Sequence, residues 1–379
     1  MWKGKSSIFL FLISYGFIFY LQETGDFIKV SNHLQEIKST EDRILIRFVR
    51  EWGGDSESDE NKMFFEPKDI GFDRKGNIYV LESTRIRVFD PSAKYIRTIG
   101  NKGQGPGELL NASLLEIDSD DHLLIFDSDN RRIQILNGEG EAEGSFPLKT
   151  EQTGPMMVTQ KNEIIMLDRA PDSETPALWR YYSYQGRFLK QKGKKQTSSS
   201  LAESLSRNEY RSVLDKNDQI ISAAAYVPLM RIYSPSGNIT REISYEPPFE
   251  VPQIKEYRLR QNSYVEREKV CEDISVDISG RIFLLALTRI MRIEERKVGM
   301  SFMAVGATAE SVSTGRVKPN IDAKKSDLFQ ILVFDGAGKI RASHKLDFYV
   351  NKMKISGKRL FLIDTFVNMR ILEYEILER

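Results

Sequence analysis

Ile70-Gly71-Phe72-Asp73-Arg74-Lys75-Gly76-Asn77-Ile78-Tyr79-Val80 and Leu115-Glu116-Ile117-Asp118-Ser119-Asp120-Asp121-His122-Leu123-Leu124-Ile125 carry one pattern twice. Each alternates apolar and polar residues, breaks at an Asp-led polar turn and resumes as an apolar run, the signature of a tight β-hairpin. The pattern recurs over 158–166, 213–221, 276–284 and 353–362. A second hairpin follows each of the first five copies, over 85–96, 132–141, 179–188, 230–239 and 330–340. Each unit therefore supplies four antiparallel strands, a to d. Six such units arranged radially predict an all-β, six-bladed β-propeller of four-stranded antiparallel blades.

The sixth unit is incomplete. Residues 369–374 supply its strand c, and the chain ends five residues later. At the other end, Arg43-Ile44-Leu45-Ile46-Arg47-Phe48-Val49-Arg50 resembles the outer strand Lys94-Tyr95-Ile96-Arg97-Thr98-Ile99. The N-terminal strand 43–50 is thus expected to close the ring by pairing with the C-terminal blade, removing an open sheet edge.

Composition narrows the function. The 379 residues are 40% hydrophobic and 29% charged, and 55 Lys+Arg against 54 Asp+Glu leave a net charge of +1. That balance argues against a nucleic-acid partner, which requires a concentrated basic excess. The single cysteine, Cys271, excludes an internal disulfide and a Cys-based zinc site. Three scattered histidines, His33, His122 and His344, offer no metal-ligand set. No catalytic residue, metal site or cofactor is assigned.

The N-terminus gives an address. After Lys3 and Lys5 an uncharged, mostly apolar run extends over 6–21, and Glu23 follows it. That order marks residues 1–26 as a signal peptide or an uncleaved signal anchor. The small-x-small triplet Ser14-Tyr15-Gly16 lies inside the apolar run, which favours the anchor. The expected location of the rest is extracytoplasmic, periplasmic or at the cell envelope, either membrane-anchored through this segment or secreted. Residues 27–41 read as a linker and 42–379 as the propeller.

Asp127-Ser128-Asp129-Asn130-Arg131-Arg132-Ile133-Gln134, directly after an apolar strand, resembles the core of the NHL repeat of six-bladed propellers, and Asp364-Thr365-Phe366-Val367-Asn368-Met369-Arg370-Ile371 repeats it with one extra residue. Residues 82–86 are a shortened version. The Gly-rich stretch 100–108 is similar to a connector of secreted or envelope bacterial six-bladed (TolB-like) propellers. The resemblance implies the fold. Blades 3 to 5 lack the Asp/Asn signature, so it implies less about function. Within the motif, pairing of Asp127 with Arg132 and of Asp364 with Arg370 is expected.

Connection lengths locate recognition. The a–b and c–d turns emerge on one face of the disc and are short. The b–c and d–a connections emerge on the other and are long, over 53–63, 100–108, 169–177, 193–208, 246–269 and 289–327. Insertions in repeat proteins cluster on the binding face. The stretch 100–108 is not a phosphate loop, because Gly107 is followed by Glu108-Leu109-Leu110 in a β pattern. The largest insertion, about 289–327, interrupts blade 5 between strands b and c.

Gln104, Glu108, Arg169, Arg289 and Arg292 are the binding candidates on the long-loop face. The expected function is a non-catalytic binding or scaffold module at the outer side of a membrane, with a protein, peptide or glycan as partner. The alternative is a metal-dependent propeller enzyme, lactonase-like or amidating-lyase-like. It requires inner-strand carboxylates such as Glu66, Asp69 and Glu272 to converge on calcium.

Overall fold

The computed structural model describes residues 27–32, 44–54, 57–148, 154–168, 177–198, 201–259, 262–292, 295 and 325–378. Six four-stranded antiparallel sheets form the blades. Two N-terminal strands, β1 (Ile28–Asn32) and β2 (Ile44–Gly53), precede them. Blade 1 is β3 (Asp69–Phe72), β4 (Ile78–Glu82), β5 (Arg85–Phe89) and β6 (Tyr95–Ile99). Blade 2 is β7 (Ala112–Ile117), β8 (Leu123–Asp127), β9 (Arg132–Leu136) and β10 (Ala142–Pro147). Blade 3 is β11 (Met156–Val158), β12 (Ile164–Leu167), β13 (Trp179–Tyr182) and β14 (Phe188–Lys192), and helix α1 (Leu201–Arg207) follows it.

Blade 4 is β15 (Tyr210–Leu214), β16 (Ile220–Ala224), β17 (Leu229–Tyr233) and β18 (Ile239–Tyr245). A separate hairpin, β19 (Lys255–Leu259) with β20 (Asn262–Glu266), stands in the connector to blade 5. Blade 5 is β21 (Cys271–Val276), β22 (Ile282–Leu287), β23 (Phe329–Phe334) and β24 (Ile340–Lys345). Blade 6 is β25 (Lys352–Ser356), β26 (Arg359–Asp364) and β27 (Arg370–Glu378), completed by β2.

The first strands of the six blades pack side by side in a closed circuit, β3, β7, β11, β15, β21, β25 and back to β3. Because each sheet is apolar on both faces, the core is divided into one apolar cluster per blade boundary. Leu81, Ile86 and Leu115 join blades 1 and 2, and Phe126, Ile135 and Met166 join blades 2 and 3. Trp179 and Tyr233 bridge blades 3 and 4, Ile243 and Phe334 blades 4 and 5, and Phe283 and Leu362 blades 5 and 6. The ring closes where Trp52 of β2 and Phe361 meet Ile70 and Ile78 of blade 1.

The short turns lock successive blades. Asp73, Asp118, Asp215 and Asp277 each accept backbone N–H bonds from the residues two and four further on, as the Asp-led turn pattern requires. In the c–d turns a glycine seats on the preceding blade. A Cβ on Gly186 (φ 75°) would stand 2.4 Å from Phe146, and one on Gly338 (φ 84°) 2.6 Å from Ile243, so both space and backbone demand glycine.

In blade 2 the turn also carries a charge latch. His122 Nδ1 lies 2.8 Å from Asp118 Oδ2 and its Nε2 lies 3.2 Å from Glu143, while the Tyr184 hydroxyl of blade 3 donates to Asp118 Oδ2 at 2.6 Å. Burial alone would lower the His122 pKa, but the hydrogen bond and charge of Asp118, with Glu143, raise it.

The segment 27–41, read as a linker, requires a correction. Residues 28–32 form β1, which adds in parallel to the outer edge of blade 4, with Ile28 opposite Arg241 and Asn32 opposite Tyr245. Asn32 adds side-chain bonds to this backbone pairing. Its buried amide donates to the carbonyls of Ser244 (3.1 Å) and Gly338 (3.0 Å) and accepts from the Ile340 N–H (2.8 Å), welding blade 4 to blade 5.

Two outcomes follow. Asn32→Ala leaves buried backbone groups of blade 5 unpaired and is expected to lower unfolding free energy by about 2 kcal/mol in denaturant melts. A histidine whose folded pKa is raised contributes stability that is complete below its unfolded value of about 6.5 and is lost as pH rises through the folded value. Stability should therefore fall between mildly acidic and mildly alkaline pH, and His122→Gln should remove that part of the slope in melts taken across the range.

Candidate ligand face

The long connections are held by acids at the ends of the second strands. Asp127, the last residue of β8, accepts N–H bonds from Leu110 and Asn111 and the amide of Asn130 (2.6 Å). Arg132 donates to the carbonyls of Gln104 (2.9 Å), Gly105 (2.8 Å) and Glu108 (2.9 Å). Gln134 donates to the Glu108 carbonyl and accepts from Gly107 N–H. The NHL-like core is thus a clamp on the Gly-rich connector. The expected Asp127–Arg132 pair is replaced by two separate sets of backbone contacts, because the connector offers both N–H groups and carbonyls within reach.

Blade 1 repeats the device. Glu82, last in β4 and buried, accepts the Phe65 N–H together with Arg85 (2.6 Å) and Arg87 (3.0 Å), and Arg87 donates to the Glu60 carbonyl at 2.8 Å. In blade 3 buried Asp168 binds Arg180 (2.6 Å) and connector residue Lys195 (3.0 Å). In blade 6 Asp364 instead accepts N–H bonds from Phe366, Val367 and Asn368, while Arg370 pairs with Glu51 at 2.9 Å.

These contacts fix where the sequence candidates stand. Glu108 caps the Gly105 N–H at 2.8 Å, so its carboxylate serves the connector, whereas the side chain of Gln104 is exposed. Arg289 grips both ends of the blade 5 insertion, Glu295 through two bonds of 2.7 Å and Asp327 at 2.8 Å and 2.5 Å. These bonds raise its pKa and lower those of Glu295 and Asp327. Arg292 is exposed and 3.6 Å from Asp327. Arg169 and residues 1–26 lie outside the described residues. Arg289 is therefore a structural tie, and the candidates are spread over separate connectors.

Sequence reading missed the charges that line the ring axis. Lys352 lies 3.3 Å from Asp69 on the adjacent inner strand, and Lys354 donates to Glu116 at 2.7 Å, one inner strand further on. Asp69 and Asp273 perform one task in two blades. Each carboxylate accepts its own strand's next N–H (3.0 Å) and an N–H of the following blade, Leu115 (3.2 Å) or Met353 (2.8 Å).

Burial pushes the Asp273 carboxyl upward against Lys352 and the Met353 N–H. Burial, aided by Asp69, likewise raises Glu116 against the pull of Lys354. At Asp69 burial is outweighed by Lys352, Lys354 and the two N–H groups, so its pKa falls. The signal available in sequence was the pair Lys352 and Lys354, two residues apart on one face of an inner strand.

A second group surrounds the start of β15. Arg211 donates to the Glu272 carbonyl (2.8 Å) and pairs with Glu209 at 3.3 Å. Arg267 lies 3.5 Å from Glu209 and stacks 4.2 Å from the Tyr226 ring centroid. The carboxylates considered for calcium do not gather. Glu66 meets Lys68 (2.7 Å), Asp69 meets Lys352 and Glu272 meets Lys269 (2.7 Å). Among the described residues, Asp118, Asp120 and His122 bring three ligand atoms together, on the short-turn face. The Asp118 oxygens there are already engaged by two backbone N–H groups, Tyr184 and His122.

The long-loop face also presents apolar side chains. Phe65 is 68% exposed and Met63 38%, with the Arg85 guanidinium 5.7 Å from the Phe65 ring centroid. The neighbouring Glu66 adopts φ 56°, a left-handed conformation rarely taken by a non-glycine residue.

Comparisons agree with this architecture. No curated protein matches the sequence. A member of the DUF4221 family from Bacteroides vulgatus aligns over 89% of this chain and 98% of its own, with TM-score 0.57 and 10% identity. A putative exported protein from Bacteroides fragilis aligns over 93% of this chain and 99% of its own, with TM-score 0.53 and 10% identity. At that identity the likeness is one of fold. Residues 59–256 match the DUF5128 family model, described as 6-bladed beta-propeller, and with more than half its length so matched the chain belongs to that family.

Proposed function

We propose that the chain is a non-catalytic binding module, held at the outer side of a membrane, that recognises a protein, peptide or glycan through the face bearing the b–c and d–a connections. The carrying observation is Phe65, a mostly exposed aromatic whose backbone is fastened to buried Glu82 and whose neighbour is locked in a left-handed turn. An aromatic presented with little freedom to lose is the common anchor of a recognition surface. The clamps on the connectors give the rest of that face the same preorganisation.

The NHL-like core of blade 2 supports kinship with NHL-type and TolB-like propellers, and the apolar run 6–21 behind two lysines supports export and anchoring. No helix among the described residues is long and apolar enough to cross a membrane. The carboxylates proposed for calcium each hold a lysine, which favours binding over metal-dependent hydrolysis.

Peptide and glycan arrays probed with the purified protein test the reading. Phe65→Ala is expected to weaken the selected ligand about tenfold, the scale of a lost aromatic anchor. Ile278→Ala, at a 72% exposed residue of the opposite face, should leave affinity unchanged. Equal affinity for both variants and the parent would assign recognition elsewhere.

A further inference from the structure

We propose that the outer rim of blades 3 and 4 rests on an anionic lipid surface, the same bilayer that takes up the apolar run 6–21. The proposal depends on reading that run as an uncleaved anchor and adds an orientation to it. Six residues, 22–27, separate Leu21 from Ile28. Fully extended, they reach about 25 Å at roughly 3.5 Å per residue. Ile28 is fixed in β1 on the edge of blade 4, and buried Asn32 keeps it there through three hydrogen bonds. With the run in a bilayer, this rim cannot stand further off than the tether allows.

The direction of β1 names the neighbouring surface. Since β1 runs parallel to β18, the chain upstream of Ile28 leaves beside the turn that begins β18. That turn sits on blade 3, where a Cβ on Gly237 would meet Lys192 at 2.7 Å and Lys192 Nζ bonds the Pro235 carbonyl. The start of β1 therefore stands beside the turn that rests on β14, the outer strand of blade 3. There Phe188 is 51% exposed, Arg187 is exposed, and Arg180, Phe188, Lys190 and Gln191 line an open groove of about 520 Å³. Lys190 is paired with Glu163 at 2.6 Å, whereas Arg187 and Lys29 project from the rim.

Apolar Phe188 and 58% exposed Ile28 among cations suit a headgroup boundary, with rings and aliphatic tips below the phosphates and basic groups at their level. Blade 1 lies across the six-membered ring from blade 4, so the Phe65 surface is left accessible.

The test uses the full chain in vesicles of phosphatidylcholine with roughly one third phosphatidylglycerol. The native Cys271 is fully buried, so one introduced thiol can be labelled selectively. Phe188→Cys, Ile28→Cys and, on the opposite rim, Ile96→Cys each receive an environment-sensitive fluorophore. Nitroxide lipids should quench labels at 188 and 28 at least about threefold more than at 96, and Arg187→Glu should reduce quenching at 188. Equal quenching at 188 and 96 in vesicle-bound protein overturns the rim contact and leaves the anchor standing. Protein that does not float with vesicles overturns both.

Discussion

A blade that is apolar on both faces cannot bury itself, so everything in this molecule depends on a ring without an end. The pairing of β2 with β27, from Ile44 opposite Glu378 to Gly53 opposite Arg370, makes that ring. It joins the first described residues of the propeller to the last, and it delivers Trp52 to the cluster that Ile70, Ile78 and Phe361 share. Without it blade 6 would lack its fourth strand, and the boundary between blades 6 and 1 would lose one wall. The constraint is non-local: the partners are over three hundred residues apart, so the boundary forms only when the other five blades are in place.

Closure also divides labour between the two faces. On the short-turn face, Asp73, Asp118, Asp215 and Asp277 each bind backbone N–H groups of their own turns. On the other face, Glu82, Asp127 and Asp168 reach outward from the second strands and bind the connectors that leave the sheet. The first arrangement stiffens the disc. The second stiffens what the disc presents, and it leaves Phe65 and Gln104 exposed. Buried acids are costly unless their oxygens find partners, so each clamp favours one course for the connector it holds.

The hairpin repeats made the blade count and the closing strand legible because period-2 patterning and turn residues are local properties. The five residues of β1, Ile-Lys-Val-Ser-Asn, were not legible: their partner lies more than two hundred positions away and pairs in parallel, with no turn to announce it. The hairpin β19 with β20 was hidden inside a connector for lack of an Asp-led or Gly-rich turn. Asp127 and Arg132 were recognised as a motif, but their spacing suggested each other as partners. Only the return of the connector over the blade shows that both face backbone. The axial charges were visible as letters and unreadable as a group, since Asp69, Glu116, Asp273, Lys352 and Lys354 come from four inner strands that meet only in the closed ring.

Blade 5 shows how the N-terminal strands reinforce the ring where it is most taxed. Its strands β22 and β23 are joined through residues 288–328, against 225–228 in blade 4. Closing the longer connection costs about 2 kcal/mol more in chain entropy by the logarithmic dependence on length. Arg289 offsets part of this by tying Glu295 and Asp327 together at the base, which shortens the effective loop. The rest of the support comes from both flanks. Asn32 of β1 holds the turn that begins β24, and Ile44 of β2 packs into the cluster shared by blades 5 and 6. The two N-terminal strands thus dock on either side of the blade that carries the longest insertion. One short stretch of chain closes the ring, extends blade 4 by a strand and braces blade 5.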